Sequence, residues 1–459
     1  MAQRKPNGNN RRRKRRRQIM IRRILLIAAI VIALALVVVI VARCSSSAKK
    51  NAEAQTITVT DAEGNTETIA VNPDTGYAPG PPSPAFTSSA TIGATGDILL
   101  HDSVLRGALQ DNGEYDFSQS FVDVEPYWSA LDYMIVNLEV PLGGDDDPTG
   151  YPVFDAPDSI VTDLQEAGVD MCLTATNHTY DCGNMGFTHT QEVLRASGMD
   201  YTGTRLSEDE SYVLVKDING IKFGFVCYTY DTREDPSDWK SLNGIEMNES
   251  DVNLINSFCY SDLDSFYSSV RSNLNEMESQ GCDVTVFFVH WGDEYTDYPN
   301  AYQEEMAQEM SNLGVDVIIG GHPHVIQEFD ILKGSGGNTT YCLYSMGNAI
   351  SSQRKEIMDP EEPRGYTEDG LVMEFTYSKL NNGKIKLTDV YVLPTWVEVG
   401  DDGIYYIDPL DSFKQSSEWP AGSTSEAIAS YNRTEERIGE VYPALRSELG
   451  LPEVPASVE

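Results

Sequence analysis

The stretch that decides the fold reads Val315-Asp316-Val317-Ile318-Ile319-Gly320-Gly321-His322-Pro323-His324. Its first five residues are mostly β-branched and apolar, which predicts a strand buried on both faces, as in a parallel sheet. The two glycines let the backbone turn sharply where that strand ends. Because His322 and His324 are two residues apart on an extended loop, their rings point the same way and can reach neighbouring metal ions. We therefore predict an α/β sheet with a metal site beside its strand ends.

The same pattern, an apolar run followed by polar groups, recurs along the chain. Five of the six histidines lie in four such segments, and a fifth segment ends in a carboxylate. The other segments are Gly96–His101, Val136–Glu139, Thr176–Asp181 and His290–Glu294. Since ligands bind outside the carboxyl ends of strands in open α/β sheets, we expect the segments to converge on one site. Imidazole, carboxylate and amide oxygen together are the ligands of hydrolytic metal centres.

Seven residues of these segments are candidate metal ligands: Asp97, His101, Glu139, Asn177, His290, His322 and His324. A buried Asp97 or Glu139 is costly unless a cation or several hydrogen-bond donors meet it, and a helix N-terminus could supply such donors instead. For His290 the alternative is a hydrogen-bonded core histidine. The direction of His101 depends on the turn that separates it from Asp97.

His178 is the candidate general acid, because an imidazole beside a metal site can protonate a leaving group. Asp181, three residues later, either orients that ring or caps the helix that begins near Gly183, and the sequence does not choose between these roles. Three further residues are expected around the pocket: Trp291, Glu294 and Asn348. Of these, Glu294 is expected to accept a hydrogen bond from an imidazole N–H.

The N-terminus predicts a membrane anchor. Residues 24–42 are an unbroken apolar stretch of 19 residues, and at about 1.5 Å per residue this length crosses a hydrocarbon layer of about 30 Å. The basic clusters Arg11–Arg17 and Arg22-Arg23 precede it, which predicts a cytoplasmic N-terminus and an extracellular main domain. The stretch exceeds a usual signal-peptide core and no Ala-x-Ala site follows, so we expect a retained single-pass anchor in the cell membrane.

Charge is divided unevenly along the chain. Residues 1–50 hold 14 of the 33 basic residues and no acidic residue, which leaves 19 basic against 71 acidic residues in the remainder. Such a surface excludes nucleic acid as a partner. It also opposes broad contact with a polyanion, unless metal ions or a local basic patch offset the repulsion. Solubility alone is the simplest reason for the charge.

The pattern along the chain predicts five regions: a basic cytoplasmic segment (1–23), a transmembrane helix (24–42), an extracellular stalk (43–89), a main domain (90–410) and a polar C-terminal tail with one helix (411–459). Within the main domain, short apolar runs alternate with helix-like segments, and Asn219-Gly220 and Asn382-Gly383 indicate tight hairpin turns. This mixture predicts a layered α/β domain with a partly antiparallel sheet.

Six ordered segments resemble those of the CapA family of poly-γ-glutamate capsule synthesis proteins. They are Gly96-Asp97, Asn137-Leu138-Glu139, Asn177-His178 with Asp181-Cys182-Gly183, His290 to Tyr295, Gly321 to His324, and Gly347-Asn348. The resemblance spans roughly residues 90–350. That family is related in fold to the calcineurin-like metallophosphoesterases, so it implies a four-layer α/β/β/α sandwich that holds two divalent metal ions, with Mn, Zn and Fe not distinguished.

Carried over by position, the resemblance also implies roles for individual residues. It places Asp97 and His324 at a first metal, Glu139 in the bridging position, and Asn177, His290 and His322 at a second metal, with His178 near the leaving group. Two positions depart from the phosphoesterase pattern. The first segment has its histidine at His101 instead of two residues after the aspartate, and Glu139 replaces an aspartate.

The leading hypothesis is a membrane-anchored protein that takes part in the synthesis or processing of poly-γ-glutamate, with a two-metal, hydrolase-like site. Its expected partners are the membrane, an anionic cell-surface polymer or its precursor, and capsule synthase subunits. A non-catalytic subunit that binds polymer or organises a synthase is the first alternative. A metal-dependent phosphoesterase unrelated to capsules is the second.

Overall fold

The computed structural model describes residues 56–60, 66–70, 86–144, 147–355, 366–455 and 457–458. The chain divides into two compact units, Met1–Ser83 and Pro84–Glu459. In the first unit, β1 (Thr56–Thr60) pairs antiparallel with β2 (Thr66–Ala70). The predicted membrane segment, residues 24–42, lies outside the described residues. Among the helices of the described part, none has both the length and the apolar character of a bilayer span.

The second unit contains two large mixed sheets. The eight-stranded sheet has the order β19 (Tyr405–Pro409), β18 (Ile385–Val399), β17 (Asp369–Leu380), β3 (Phe86–Ile98), β4 (Tyr133–Leu138), β5 (Met171–Leu173) and β6 (Asp200–Thr202), with β16 (Asn348–Ile350) beside β3. The half from β3 to β6 is parallel and the half from β17 to β19 is antiparallel.

The seven-stranded sheet has the order β11 (Ser257–Phe258), β8 (Ile221–Tyr230), β12 (Val284–His290), β13 (Val317–Gly321), β15 (Thr339–Leu343) and β14 (Phe329–Lys333), with β7 (Leu214–Ile218) beside β8. Its central strands β8, β12, β13 and β15 are parallel, as the continuous apolar run at 315–319 predicts. The Asn219-Gly220 turn joins β7 to β8, and both residues have positive φ. A separate short hairpin consists of β9 (Ser241–Leu242) and β10 (Ile245–Glu246).

The helices lie in two groups, one for each sheet. α1 (Asp102–Ala108), α2 (Glu125–Trp128), α3 (Ser159–Glu166) and α4 (Gly183–Ser197) belong with the eight-stranded sheet, and α5 (Leu263–Ser279) and α6 (Ala301–Leu313) with the seven-stranded sheet. Because side chains alternate along a strand, Val286 and Phe288 of β12 enter the core between the sheets, whereas Phe287 packs with α5 and α6. The layers are therefore helices, sheet, sheet and helices.

The C-terminal tail joins this core. It contains a 3₁₀ turn at Ser416–Glu418 and two helices, α7 (Ser425–Ile438) and α8 (Val441–Glu448), and Thr424 caps α7 as the predicted helix requires. Ile438, Tyr442 and Leu445 are almost fully buried with the apolar residues that lie between the two sheets. The predicted tail has one helix, whereas the structure has two. The second was missed because the few apolar residues that pack into the core are spaced along a mostly polar sequence.

Candidate metal centre

The strand ends of both sheets meet at one place. Asp97 lies at the end of β3, Glu139 follows β4, and His290 ends β12. The Asp97 carboxylate lies 2.9 Å from His324 Nδ1, although 227 residues separate them along the chain. Its other oxygen accepts a hydrogen bond of 2.7 Å from Asn137 Nδ2. The structure thus gathers all of the predicted ligands except His101 from two sheets into one buried cluster.

Two overlapping groups of side chains have the spacing of a metal site. One group is Glu139, His322 and His324, the other is Asp97, Glu139 and His290, and within each group one ligand atom per residue lies within 4.8 Å of the others. Glu139 belongs to both groups, the position expected of a carboxylate that bridges two cations. His290 groups with Asp97 here, whereas the resemblance implies that it acts with His322.

Glu139 is the strongest sign that the cluster is built for cations. Its side chain has no exposed surface, and neither carboxylate oxygen accepts a hydrogen bond from a described residue. The nearest titratable nitrogens are His290 Nε2 at 3.4 Å and His324 Nε2 at 3.9 Å. An unpaired buried carboxylate is costly unless a cation meets it. The donor set of carboxylates and imidazoles fits divalent transition metals such as Mn, Zn or Fe.

The lowered pKa values of two imidazoles keep them neutral, the form that binds a metal ion. Burial lowers the pKa of His290 to about 3, and burial together with the other histidines holds the pKa of His322 well below its usual value. Burial also lowers the pKa of His324, but the carboxylates of Glu139 and Asp97 outweigh it and raise that pKa to about 9. Burial raises the pKa of Glu139 well above its ordinary value, and the charge of Asp97 adds to this effect. Metal ligation requires neutral imidazole, which His290 and His322 already provide.

The loop after β13 gives two histidines an uncommon backbone. His322 has φ of 94° and His324 has φ of 58°, both in the left-handed region. The preceding Gly320 has no room for a side chain, because an ideal Cβ would lie 1.9 Å from the Tyr344 carbonyl oxygen. The glycine and the two left-handed residues turn both imidazoles into the cluster. Nδ1 of His322 is buried and has no hydrogen-bond partner among the described residues.

Asn177 supplies an amide oxygen to the same cluster. Its Oδ1 lies 2.7 Å from His290 Nε2, so an oxygen and a nitrogen ligand are presented side by side. Asn137, which was not singled out as a ligand, lies behind them, with Nδ2 2.7 Å from Asp97 and 3.5 Å from His290 Nδ1. Its place next to Leu138-Glu139 in the quoted segment was the signal that could have found it.

His178 and Asp181 form a separate, fully paired unit at the edge of the cluster. His178 Nδ1 lies 2.7 Å from Asp181 Oδ2, which also accepts the backbone N–H of Phe154 at 2.8 Å. Asn243 Nδ2 donates to Asp181 Oδ1 at 3.1 Å from the turn between β9 and β10. The N-cap of α4 is Cys182, which makes no side-chain cap hydrogen bond. Of the two roles left open for Asp181, the structure therefore shows the one that orients His178.

A family model described as bacterial capsule synthesis protein PGA_cap matches residues 91–353. That range covers more than half of the chain and includes every residue of the cluster. The chain belongs to this family. The family segment therefore contains both sheets up to β16, while β17 to β19 and the C-terminal helices lie outside it.

Two curated relatives bear names that associate them with capsule biosynthesis. The chain is 27% identical over 277 residues to the capsule biosynthesis protein CapA of Bacillus anthracis, which covers 57% of this chain and 60% of that protein. It is 24% identical over 305 residues to the PGA biosynthesis protein CapA of Bacillus subtilis strain 168, covering 64% of this chain and 70% of that protein. The chain thus spans less than two thirds of the length of the first relative.

Solved structures with a similar arrangement include two enzymes of low identity. The NAD nucleotidase NadN of Haemophilus influenzae is 11% identical with a TM-score of 0.43, and the match covers 79% of this chain and 59% of that chain. The purple acid phosphatase PPD1 from yellow lupin seeds is 10% identical with a TM-score of 0.33, covering 73% of this chain and 58% of that chain.

The remaining predicted residues take different places around the centre. His101 belongs to neither metal group, and its ring packs edge-on against Phe154, with Nδ1 3.4 Å from Ser351 Oγ. Burial and the neighbouring histidines lower the pKa of His101 to about 4. Phe154 also packs against His178, at 4.8 Å between ring centres. His101 and the general-acid candidate His178 thus contact the same Phe154 ring.

The three residues expected around the pocket also differ from one another. Trp291 is a core residue whose Nε1 donates a hydrogen bond to the Tyr344 carbonyl at 3.0 Å. It therefore packs in the core beside the centre and holds the backbone at Tyr344. Glu294 is exposed and accepts no imidazole N–H among the described residues, but its charge acts on Glu139, His290 and His324. Asn348 is buried beside Asp97 in the β16–β3 pair, and its Oδ1 has no described partner.

Two tyrosines at the centre were not predicted as site residues, although Tyr295 ends the quoted His290 to Tyr295 segment. Tyr230, the last residue of β8, lies with its hydroxyl 3.3 Å from His322 Nε2 and its ring stacked on His290. Tyr295 lies with its ring 5.9 Å from that of His324 and has positive φ. The position of Tyr295 in the quoted segment was the signal that could have identified it, whereas Tyr230 lies in no quoted segment and only the folded structure identifies it.

Proposed function

We propose that this family member is anchored in the cell membrane by residues 24–42 and takes part outside the cell in the synthesis or processing of poly-γ-glutamate. Its chemistry would be hydrolytic and would use two divalent cations. The names of its relatives support the association with capsule biosynthesis. The single observation that carries the hydrolytic part is the buried carboxylate of Glu139, which accepts no hydrogen bond from a described residue and is shared by two groups of ligands.

The residues of the cluster would have two roles, metal binding and proton donation. Asp97, Glu139, His290, His322 and His324 would hold the cations. When bound, such cations supply a nucleophile derived from water near neutral pH and polarise the electrophile, which is a phosphoryl group or an acyl carbon. His178, held by Asp181, would give a proton to the leaving group. Closely spaced imidazoles and carboxylates inside a largely buried cluster also limit access of bulk water.

Metal content tests this proposal directly. The full-length chain and the variant His322→Gly with His324→Gly would be dialysed against Mn²⁺ or Zn²⁺ and measured by elemental mass spectrometry. Glycine is chosen because both positions have positive φ, so the loop keeps its shape. The wild type should retain about two ions per chain, and the variant should lose them.

The matched control is His189→Ala. His189 is a partly exposed histidine paired with Asp158 at 2.9 Å, and it belongs to neither metal group. Its loss should leave the metal content unchanged. Equal metal content in the wild type and the double variant would contradict the centre as described.

A non-catalytic subunit is the second candidate, and the position of His101 favours it. That histidine lies outside both groups, so the first segment contributes only its aspartate to them. Turnover of phosphodiester and γ-glutamyl model substrates, measured with Mn²⁺ and Zn²⁺, separates the two functions. Activity abolished by Asp97→Asn supports the hydrolase, while polymer binding without turnover supports the subunit that organises a synthase.

The proposed topology has its own test. Protease added to intact cells should degrade the chain beyond residue 43 and leave a short cell-associated fragment. Full protection of the chain in intact cells would contradict an extracellular main domain.

A further inference from the structure

A cavity of about 220 Å³ lies next to the metal centre and is unexplained by the proposed chemistry. Its floor is Val325 and Ile326, which directly follow the ligand His324. Its opposite wall is α7, which contributes Arg433, Thr434 and Arg437. The family match ends at residue 353, so this wall comes from a part of the chain outside the family segment.

Two guanidinium groups in the cavity are already held in place. Nε and Nη2 of Arg433 donate to the two carboxylate oxygens of Asp369, each at 2.7 Å, and its guanidinium lies 3.6 Å from the centre of the Tyr366 ring. Arg437 pairs with Asp297. A guanidinium has more N–H donors than one carboxylate can accept, so each retains donors for a further acceptor. Fixed guanidinium groups lose less freedom when they bind a ligand.

Thr434 provides an independent sign that the cavity receives a ligand. Its side chain is 1% exposed and lines the cavity, yet its hydroxyl has no hydrogen-bond partner among the described residues. A buried hydroxyl without a partner destabilises the fold. A threonine between two arginines therefore has a reason to be there if an acceptor enters the cavity.

We propose that this cavity binds a carboxylate group on an aliphatic chain, and thus forms a subsite for an anionic polymer beside the metal centre. Arg433, Arg437 and Thr434 would donate to the carboxylate, and Val325 and Ile326 would contact the aliphatic part. The subsite rests on the proposed function, since it identifies the class of substrate that the centre would act on.

The acidic residues of the cavity explain why a carboxylate suits it better than a phosphate. Asp297, Asp369 and Glu436 line the same space as the two arginines. The cavity therefore lacks the excess of positive charge that a multiply charged phosphate needs. It offers directed donors instead, and a planar carboxylate with a single charge matches a guanidinium edge.

The subsite is connected to the metal centre by two short segments. Asp297 is two residues from Tyr295, whose ring contacts that of His324. Gln353 donates to the Tyr295 hydroxyl at 3.0 Å, and two residues later the ammonium of Lys355 lies 3.6 Å above Tyr366. Lys355 adds a basic residue at the rim. A chain whose carboxylate occupies the cavity would therefore lie beside the catalytic groups.

Binding of a fluorescently labelled γ-glutamate oligomer to the full-length chain, followed by fluorescence anisotropy, tests the proposal. Thr434→Val should weaken binding about tenfold, because it removes one hydrogen bond to a charged group. The same change should leave the chain equally stable or more stable, since it removes an unpaired buried hydroxyl. A purely structural threonine would give unchanged binding, so this outcome would overturn the subsite.

Arg437→Gln is the second variant, with Arg195→Gln as its matched control. Both arginines are partly exposed, and each pairs with one carboxylate. Arg195 pairs with Glu210, and both residues line a different cavity. Arg437→Gln should weaken binding at least about tenfold and Arg195→Gln should not change it. Equal effects of the two changes would show that only net charge matters and would overturn the site.

A polyphosphate of matched charge is the comparison ligand, and it should bind more weakly than the oligomer. Tighter binding of polyphosphate, or no binding of the oligomer to the wild type, would also overturn the proposal. Metal content separates this result from the proposed function, because Thr434→Val should leave it unchanged. A chain without bound metal whose oligomer binding still depends on Thr434 would retain the subsite and lose the hydrolytic centre.

Discussion

Two buried carboxylates of the site, Asp181 and Glu139, differ in the hydrogen-bond donors that surround them. Asp181 accepts from His178, from the backbone of Phe154 and from Asn243, so its charge is met by protein donors. Glu139 is more deeply buried and accepts no hydrogen bond from a described residue. Because its oxygens are held by several donors, Asp181 can hold the His178 ring in place. Because Glu139 lacks such donors, its charge is stabilised only when a cation binds beside it.

The largest expected effect distinguishes the two carboxylates by metal affinity. Glu139→Gln should weaken Mn²⁺ or Zn²⁺ binding by more than about 100-fold, because it removes the charge shared by both ligand groups. Asp181→Asn should leave affinity and the number of bound ions close to those of the wild type. Equilibrium dialysis with metal analysis measures both. Similar losses of metal affinity in the two variants would contradict the distinction between the two carboxylates.

The next effect concerns stability. Asp181→Asn should lower the free energy of unfolding of the metal-stripped chain by about 2 kcal/mol, because buried donors lose a charged acceptor. The control is Asp158→Asn, which alters the exposed pair with His189 and should cost less than about 0.5 kcal/mol. Urea denaturation followed by circular dichroism gives both values. Equal costs would mean that burial of the His178–Asp181 pair is unimportant.

A third carboxylate, the partly buried Glu374, extends the comparison, because it takes a proton instead of a cation. Burial, with Asp389 and Asp411 nearby, raises the pKa of Glu374 to about 8. Between about pH 4.5 and pH 8 the folded state therefore holds more protons than the unfolded state, so this group makes stability fall as the pH rises.

Glu374→Gln should remove that slope. The variant should match the wild type near pH 4.5 and exceed it by up to about 4 kcal/mol at pH 8, the linkage that follows from this pKa shift. Glu448→Gln, at an exposed position on α8, is the control and should follow the wild type. Denaturation curves at several pH values check this, and a wild type without the extra slope would refute the proton on Glu374.

Much of the centre was predictable because ligands at strand ends follow runs of apolar residues. The Gly-Gly-His-Pro-His segment and the Asn-Leu-Glu segment each combine a recognisable strand with a polar end, and the parallel topology brings these ends together. The same logic predicted His290 and Asn177. The grouping of the ligands was less predictable, since the pairing of His290 with Asp97 depends on how the two sheets approach one another.

The residues whose contacts at the site the sequence could not predict come from irregular segments. Asn243 lies in a two-residue turn that pairs with neither large sheet, and Tyr295 lies in a loop after β12. Their contacts with Asp181 and His324 join parts of the chain that no local periodicity relates. The apolar face of α7 and α8 was hidden for a similar reason, because its few buried residues are spaced along a mostly polar sequence.

The C-terminal helices also set the order of assembly. Ile438, Tyr442 and Leu445 fill the space between the two sheets, yet they follow every strand of those sheets in the sequence. Until they emerge, the interior of the sandwich stays open to water at that place and the ribosome-bound chain lacks its final packing. Closure of the domain is therefore a late event when the chain folds as it is synthesised.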